Sequence, residues 1–311
     1  MKKILFILLL SCVSVCVLAQ GKLLDSTALA NEKEYENLEE ALKEPLKVYK
    51  LNLRAKRHSH TTLPKEIGEL KNLIYLNLSY SQLTTLPKEI GELKNLRDLD
   101  LAFSQLTTLP KEIIWELKNL IYLNLSFSQL TTLPKEIGEL KNLKALYLQS
   151  NQLTTLPKEI GELKNLEKWD LSANQLTTLP KEIGELKNLI YLNLSYNQLT
   201  SLSKEIGELK NLKYLNLTES KLTTLPKEIG ELKNLTQLSL KKNQLTSLPK
   251  EIGELKNLDR LQLQSNQLTS LPKEIGELKN LRGLYLSKNP ITPKEKEKIK
   301  KLLLNYYTEV D

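Results

Sequence analysis

Leu76 and Leu78 alternate with Tyr75, Asn77 and Ser79, a period of two that places the leucines on one face of a short strand. The chain then turns through Gln82 to Leu86. Ile67, Leu70 and Leu73 recur at threes, which sets them on one face of a short helix or 3₁₀ turn. Pro64, Pro87 and their equivalents suit the first helical position, where a missing N–H does no harm. Gly68 and its equivalents keep that helix weak and short. The phrase Leu63 to Leu73 (Leu-Pro-Lys-Glu-Ile-Gly-Glu-Leu-Lys-Asn-Leu) returns at Leu86, Leu109, Leu133, Leu156, Leu179, Leu202, Leu225, Leu248 and Leu271, ten copies in all. The step is 23 residues, apart from one of 24 between Pro110 and Pro134, and Ser203 stands where the other nine copies have proline. A fixed period of this length specifies stacked repeats, because one unit cannot bury its own leucines and a column of them can. The expected fold is an α/β solenoid: a curved horseshoe with a parallel inner sheet, short helices or 3₁₀ turns outside, and a helical cap at each end.

Between the phrases, Leu73, Leu76, Leu78 and Leu83 spell L-x-x-L-x-L-x-x-(N/S)-x-L, which resembles the leucine-rich repeat family. The ninth position favours Asn, whose amide satisfies backbone groups in the turn. Asn151, Asn174, Asn197, Asn243, Asn266 and Asn289 keep it; Ser81, Ser104, Ser128 and Ser220 do not, so the early turns are expected to be looser.

The two ends differ from the repeats. Thr27 to Lys43 reads as one amphipathic helix stopped by Pro45, followed by a first strand on Val48, Leu51 and Leu53. The stretch from Tyr35 through Leu38, Ala41-Leu42, Pro45-Leu46 and Leu51-Asn52-Leu53 to Thr62-Leu63-Pro64 resembles the start of exported leucine-rich repeat proteins of pathogenic spirochaetes. That resemblance covers essentially the whole mature chain. It implies binding or adhesion rather than one shared ligand. At the other end Thr292, Pro293 and Glu295 form a capping box, Ile299, Leu302 and Leu303 supply a helix face, and Tyr306 to Val310 read as a last strand. The Lys-rich outer face of that helix reads as a solvated surface. The resulting division is residues 1–19 as export signal, 20–61 as amino-terminal cap, 62–289 as ten repeats and 290–311 as carboxy-terminal cap.

The address lies in the first residues. Met1-Lys2-Lys3 is a basic start, Ile4 to Leu18 is largely apolar, and Val17-Leu18-Ala19 fits the small-residue cleavage rule. The apolar run is too short to span a bilayer, so the chain is expected to be secreted or held at the outer surface. Cys12 and Cys16 each sit in an imperfect lipobox, which keeps lipid anchoring as the alternative. Cleavage after Ala19 leaves no cysteine and hence no disulfide.

Charge narrows the partners. The net charge is +8, and removing Lys2 and Lys3 leaves 43 basic against 37 acidic residues. Each phrase carries two Lys and two Glu, so the outer surface is neutral, with Lys65 and Glu69 placed as an i, i+4 pair. No single face gathers the charge that nucleic acid requires. His58 and His60 offer two zinc ligands, and proteins resembling this one have been associated with zinc. Arg54, Lys56 and Arg57 stand beside them and no carboxylate or cysteine completes a site, so the segment reads as a basic loop and no metal or cofactor is expected. With no nucleophile and no triad, the chain is expected not to be an enzyme.

Function is then expected on the strand face, where the copies differ. Tyr75, Tyr122, Tyr191 and Tyr214 share one column, Tyr80, Phe103, Phe127 and Tyr196 a second, and Tyr147 and Tyr285 a third. Aromatic side chains on a rigid surface are good protein anchors, so the expected partner is a protein, such as a host cell-surface or matrix component, held by a monomer. Duplication of near-identical repeats would also spread tyrosines without any ligand. The basic residues Lys241, Lys242, Arg260, Arg282 and Lys288 form the alternative site, for a glycan or glycosaminoglycan. Trp169 reads as a core residue in the Leu76 column. Trp115, within the irregular Ile113-Ile114-Trp115-Glu116, either tucks into the core edge or stands exposed.

Overall fold

The computed structural model describes residues 26–54, 61–303 and 309–310. The amino-terminal segment read as an export signal, with Cys12 and Cys16, the pair His58 and His60, and Tyr306 lie outside them.

Thirteen parallel strands form one open, curved sheet in which every strand pairs with its neighbours in sequence, β1 (Glu34–Tyr35) through β13 (Glu309–Val310). The register repeats without slip: Leu76 of β3 (Tyr75–Asn77) faces Leu99 of β4 (Asp98–Asp100), which faces Leu123 of β5 (Tyr122–Asn124). Leu51, Leu76, Leu123, Leu146, Leu192 and Leu215 are fully buried in that column. Trp169 takes one place in it and is equally buried, so its role is structural; its indole N–H has no hydrogen-bond partner among the described residues. Burying a leucine side chain is worth roughly 1.5–3 kcal/mol, and the gain recurs at each step of the stack.

The outer side is a row of 3₁₀ turns such as Lys65–Glu69 and Lys88–Glu92. The expectation that proline takes the first helical position is off by one. Pro64 is the cap, with φ −64° and ψ 148°, and its carbonyl accepts the Ile67 N–H at 3.2 Å. Ser203 adopts the same backbone, φ −69° and ψ 152°. The glycine has a steric reason as well as an entropic one. A Cβ on Gly253 would stand 2.4 Å from the Glu274 carbonyl oxygen of the next repeat, and one on Gly138 would stand 2.5 Å from that of Glu159.

The Lys65–Glu69 pairing is replaced. A 3₁₀ turn has three residues per turn, so i and i+4 do not share a face. Salt bridges instead run between repeats: Lys71 to Glu92, Lys141 to Glu162 at 3.1 Å, Lys164 to Glu185 at 2.9 Å, Lys187 to Glu208 at 2.8 Å. The lysine partner holds the Glu92, Glu162, Glu185 and Glu208 carboxyls below their ordinary range.

Two asparagine ladders tie the edges. On the inner one, Asn174 Nδ2 donates to the Leu148 and Leu171 carbonyls at 2.9 and 3.0 Å, while its Oδ1 accepts the Leu153 N–H at 3.0 Å. On the outer one, Asn95, Asn165 and Asn257 donate to the carbonyls of Lys71, Lys141 and Lys233 at 2.8–2.9 Å. Serines fill the inner ladder less fully. Ser104 and Ser128 bond each other at 2.9 Å, Ser81 Oγ has no partner among the described residues, and after Ser220 the backbone of Lys221 turns left-handed (φ 64°).

The single helix expected over Thr27 to Lys43 is instead α1 (Ser26–Asn31), strand β1 and the one-turn α2 (Leu38–Ala41). Asn37 caps α2 by accepting the Glu40 N–H at 3.0 Å, and this break lets Tyr35 pair beside Leu51 and bury itself. In the irregular repeat the extra residue is absorbed by a true α-helix, α3 (Lys111–Glu116), which buries Ile113 and Ile114. At the far end α4 (Pro293–Leu303) covers the last turn with Ile299 and Leu303, and the Thr292 hydroxyl accepts the Glu295 N–H at 3.2 Å. Among the described residues no helix is long and apolar enough to cross a membrane.

Candidate functional site

The inner sheet face is built from the residues between the buried leucines. Its first column runs Tyr75, Asp98, Tyr122, Ala145, Lys168, Tyr191, Tyr214, Gln237, Arg260, Gly283. The expected tyrosine column is therefore interrupted. Asp98 separates Tyr75 from Tyr122, and Ala145 and Lys168 separate Tyr122 from Tyr191. Tyr122 meets Tyr147 of the adjacent column with centroids 5.4 Å apart and rings tilted by 46°, whereas Tyr191 and Tyr214 stack at 4.6 Å and 4°. Tyr285 lies in the same column as Tyr147, several strands away.

The second aromatic set follows the strands. Tyr80, Phe103, Phe127 and Tyr196 all occupy a left-handed backbone position (φ 54–60°) that recurs in every repeat and is never glycine here. Their N–H groups are committed, as when Phe103 donates to the Ser126 carbonyl at 2.8 Å, so the side chain is thrown out at the edge of the sheet. Tyr80 stacks on Phe103 at 4.4 Å and Phe103 on Phe127 at 4.3 Å, and the Arg54 guanidinium covers the other face of Tyr80 at 4.5 Å. The next two positions are the small Ser150 and Ala173; Tyr196 then stands 54% exposed.

The inner face thus carries two aromatic patches, one on Tyr75, Tyr80, Phe103, Tyr122, Phe127 and Tyr147, the other on Tyr191, Tyr196 and Tyr214. At strand spacings of about 4.8 Å, the three steps from Phe127 to Tyr196 span about 14 Å. Between the rings of the first patch lie two carboxylates. Burial pushes both Asp98 and Asp100 above the usual range, and Asp100 accepts the Ala102 N–H at 2.9 Å. Burial also pushes the Tyr122 and Tyr191 phenols up to about 12, so both stay neutral donors.

The basic residues are partly neutralised. Lys242 pairs with Glu219 at 2.5 Å, and Arg260 and Arg282 share Asp259 at 3.5 and 3.6 Å. Trp115 is 49% exposed on the outer side, with the Lys118 ammonium 4.7 Å from its ring, where the salt-bridge row would have taken that lysine to Glu139. Among the described residues no group of three or more His, Cys, Asp or Glu could hold a metal. Sequence reasoning missed Arg54 as a stacking partner and Asp98 and Asp100 as members of the patch. The signal was available, since period two puts positions 98 and 100 on the same face as Tyr75.

Residues 43–151 and 198–303 match the family model described as a leucine-rich repeat region, and residues 164–222 match a second leucine-rich repeat model. No curated protein sequence matches the chain. Among solved structures, a leucine-rich repeat protein of Leptospira interrogans is 39% identical, covering 90% of this chain and 100% of that one, with a TM-score of 0.48. A plant peptide hormone receptor, RGFR1 in complex with RGF2, is 28% identical over 89% of this chain and 49% of that one (TM-score 0.71). A TDR receptor is 31% identical over 80% of this chain and 44% of that one (TM-score 0.72). The chain spans less than half the length of either receptor.

Proposed function

Because the chain belongs to the leucine-rich repeat family, we propose that it is an exported, non-enzymatic protein-binding module whose inner face grips a host cell-surface or matrix protein. The observation that carries this reading is the stacked row Tyr80–Phe103–Phe127, in which Phe103 and Phe127 remain 38% and 44% exposed. Aromatic rings held rigid by their neighbours lose little entropy on binding and offer large contact areas. The second patch at Tyr191, Tyr196 and Tyr214 gives the partner another anchor about 14 Å further along. The likeness to a receptor solved with a bound peptide hormone supports a protein or peptide as the ligand. Export rests on the first 19 residues, with Cys12 or Cys16 as the alternative lipid anchor.

The test compares the purified chain with a Tyr80→Asn/Phe103→Asn/Phe127→Asn variant. Asn tolerates the left-handed backbone, so the fold is kept. Both are titrated against a panel of host surface and matrix proteins and against glycosaminoglycans, at low and physiological salt. Protein binding that survives physiological salt and falls at least tenfold in the variant is the expected result. Protein binding unaffected by the variant, or binding to no protein, overturns it. Salt-sensitive glycan binding, lost instead on replacing Lys241, Lys242, Arg260, Arg282 and Lys288, establishes the alternative.

A further inference from the structure

Where the amino-terminal cap meets the first repeat there is a cavity of about 500 Å³. Its wall is leucine: Leu38 and Leu42 from the cap, Leu53 and Leu63 from the chain entering the repeat, Leu78 and Leu83 from the repeat itself. The volume falls within the roughly 300–1,000 Å³ of small-molecule sites, and such sites combine an apolar wall with a few polar groups.

One buried polar side chain opens onto the space. Ser81 occupies the inner-ladder position that later repeats give to asparagine. There the amide donates to two leucine carbonyls, as Asn151 does to Leu125 and Leu148 at 2.9 and 3.0 Å. The corresponding carbonyls at this end belong to Leu53 and Leu78, and both residues line the cavity. The shorter Ser81 side chain reaches neither. Its hydroxyl is buried, the residue being 2% exposed, and it has no hydrogen-bond partner among the described residues. An unsatisfied buried hydroxyl is unfavourable, and a ligand supplying the missing bond recovers that loss.

The rim supplies charge. Glu36, Glu39 and Glu66 line the cavity, and none of them takes part in an ion pair among the described residues. An apolar recess, a lone hydroxyl and three carboxylates without an ion-pair partner among the described residues call for a ligand with an apolar body and a positive head that donates hydrogen bonds. We propose that this cavity binds a small amphipathic amine, its chain against the leucines and its ammonium between Ser81 and the acidic rim. This site is separate from the inner sheet face and does not depend on what that face binds.

The test titrates the purified full chain with octylamine and with octanoate by calorimetry, alongside two variants. Ser81→Asn removes the lone hydroxyl and restores the ladder; Glu36→Gln/Glu39→Gln/Glu66→Gln removes the charge and leaves the wall. The expected result is octylamine binding at least tenfold tighter than octanoate, lost in Ser81→Asn without a fall in Tm, with the preference erased in the triple variant. Absence of octylamine binding overturns the site. Binding unchanged in Ser81→Asn overturns its location, and equal affinity for octanoate overturns the ligand class.

Discussion

Single positions show how far the partner in the next repeat decides what a residue must be. By backbone entropy alone, Gly→Ala in a short helix is favourable by about 0.5–1 kcal/mol. Gly253 has the opposite sign here, because the new methyl would meet the Glu274 carbonyl at 2.4 Å. Gly253→Ala should therefore destabilise, by about 1–3 kcal/mol, in urea unfolding. Ser203 is the converse case. It already holds the φ of the nine prolines at its equivalents, so Ser203→Pro should stabilise by about 0.4–1 kcal/mol through the unfolded chain. Asp98 carries a pH dependence. Its folded pKa is raised by burial, so its ionised form opposes folding above that pKa, and the penalty vanishes below the unfolded value near 3.8. Asp98→Asn should raise the Tm at neutral pH and leave it unchanged at about pH 3.

At the scale of the element, a 23-residue unit is legible within itself and opaque beyond its edges. The strand, the turn and the leucine columns follow from periods of two and three. The carboxy-terminal helix follows from Thr292, Pro293 and Glu295. What was missed lies between copies: the Lys71-to-Glu92 row, the close approach at glycine, and the outer ladder from Asn72 to Asn280. The asparagine in every Leu-Lys-Asn-Leu phrase was a signal, since a polar residue kept between two core leucines in all ten copies needs a partner. The amino-terminal cap misled for another reason. Its amphipathic pattern fits a helix locally, but sheet pairing at Tyr35 competes with it and wins. The salt-bridge row is a surface feature and should contribute little. Glu185→Gln should shift the urea midpoint only slightly, and the shift should shrink further at high salt.

For the whole molecule, the solenoid makes stability a sum over neighbours rather than a property of one core. α4 closes the far end with Ile299, which is fully buried. Ile299→Ala should cost about 2–5 kcal/mol locally. Hydrogen exchange should show protection lost first in β11 (Arg260–Gln262) and β12 (Gly283–Tyr285), and retained in β3 and β4. The inner-face sites were less legible than the fold. Sequence register placed each aromatic in its column, but which rings touch depends on whether the intervening repeat offers Asp98, Ala145 or another ring. The asparagine amides also have a direction. Each one reaches back to the repeat before it, from Asn95 to Lys71 and from Asn174 to Leu148, and among the described residues none reaches forward. A repeat emerging from the ribosome therefore carries the donors that fasten it to its predecessor, while its own carbonyls wait for its successor, so the molecule is closed one unit at a time, in the order in which it is synthesised.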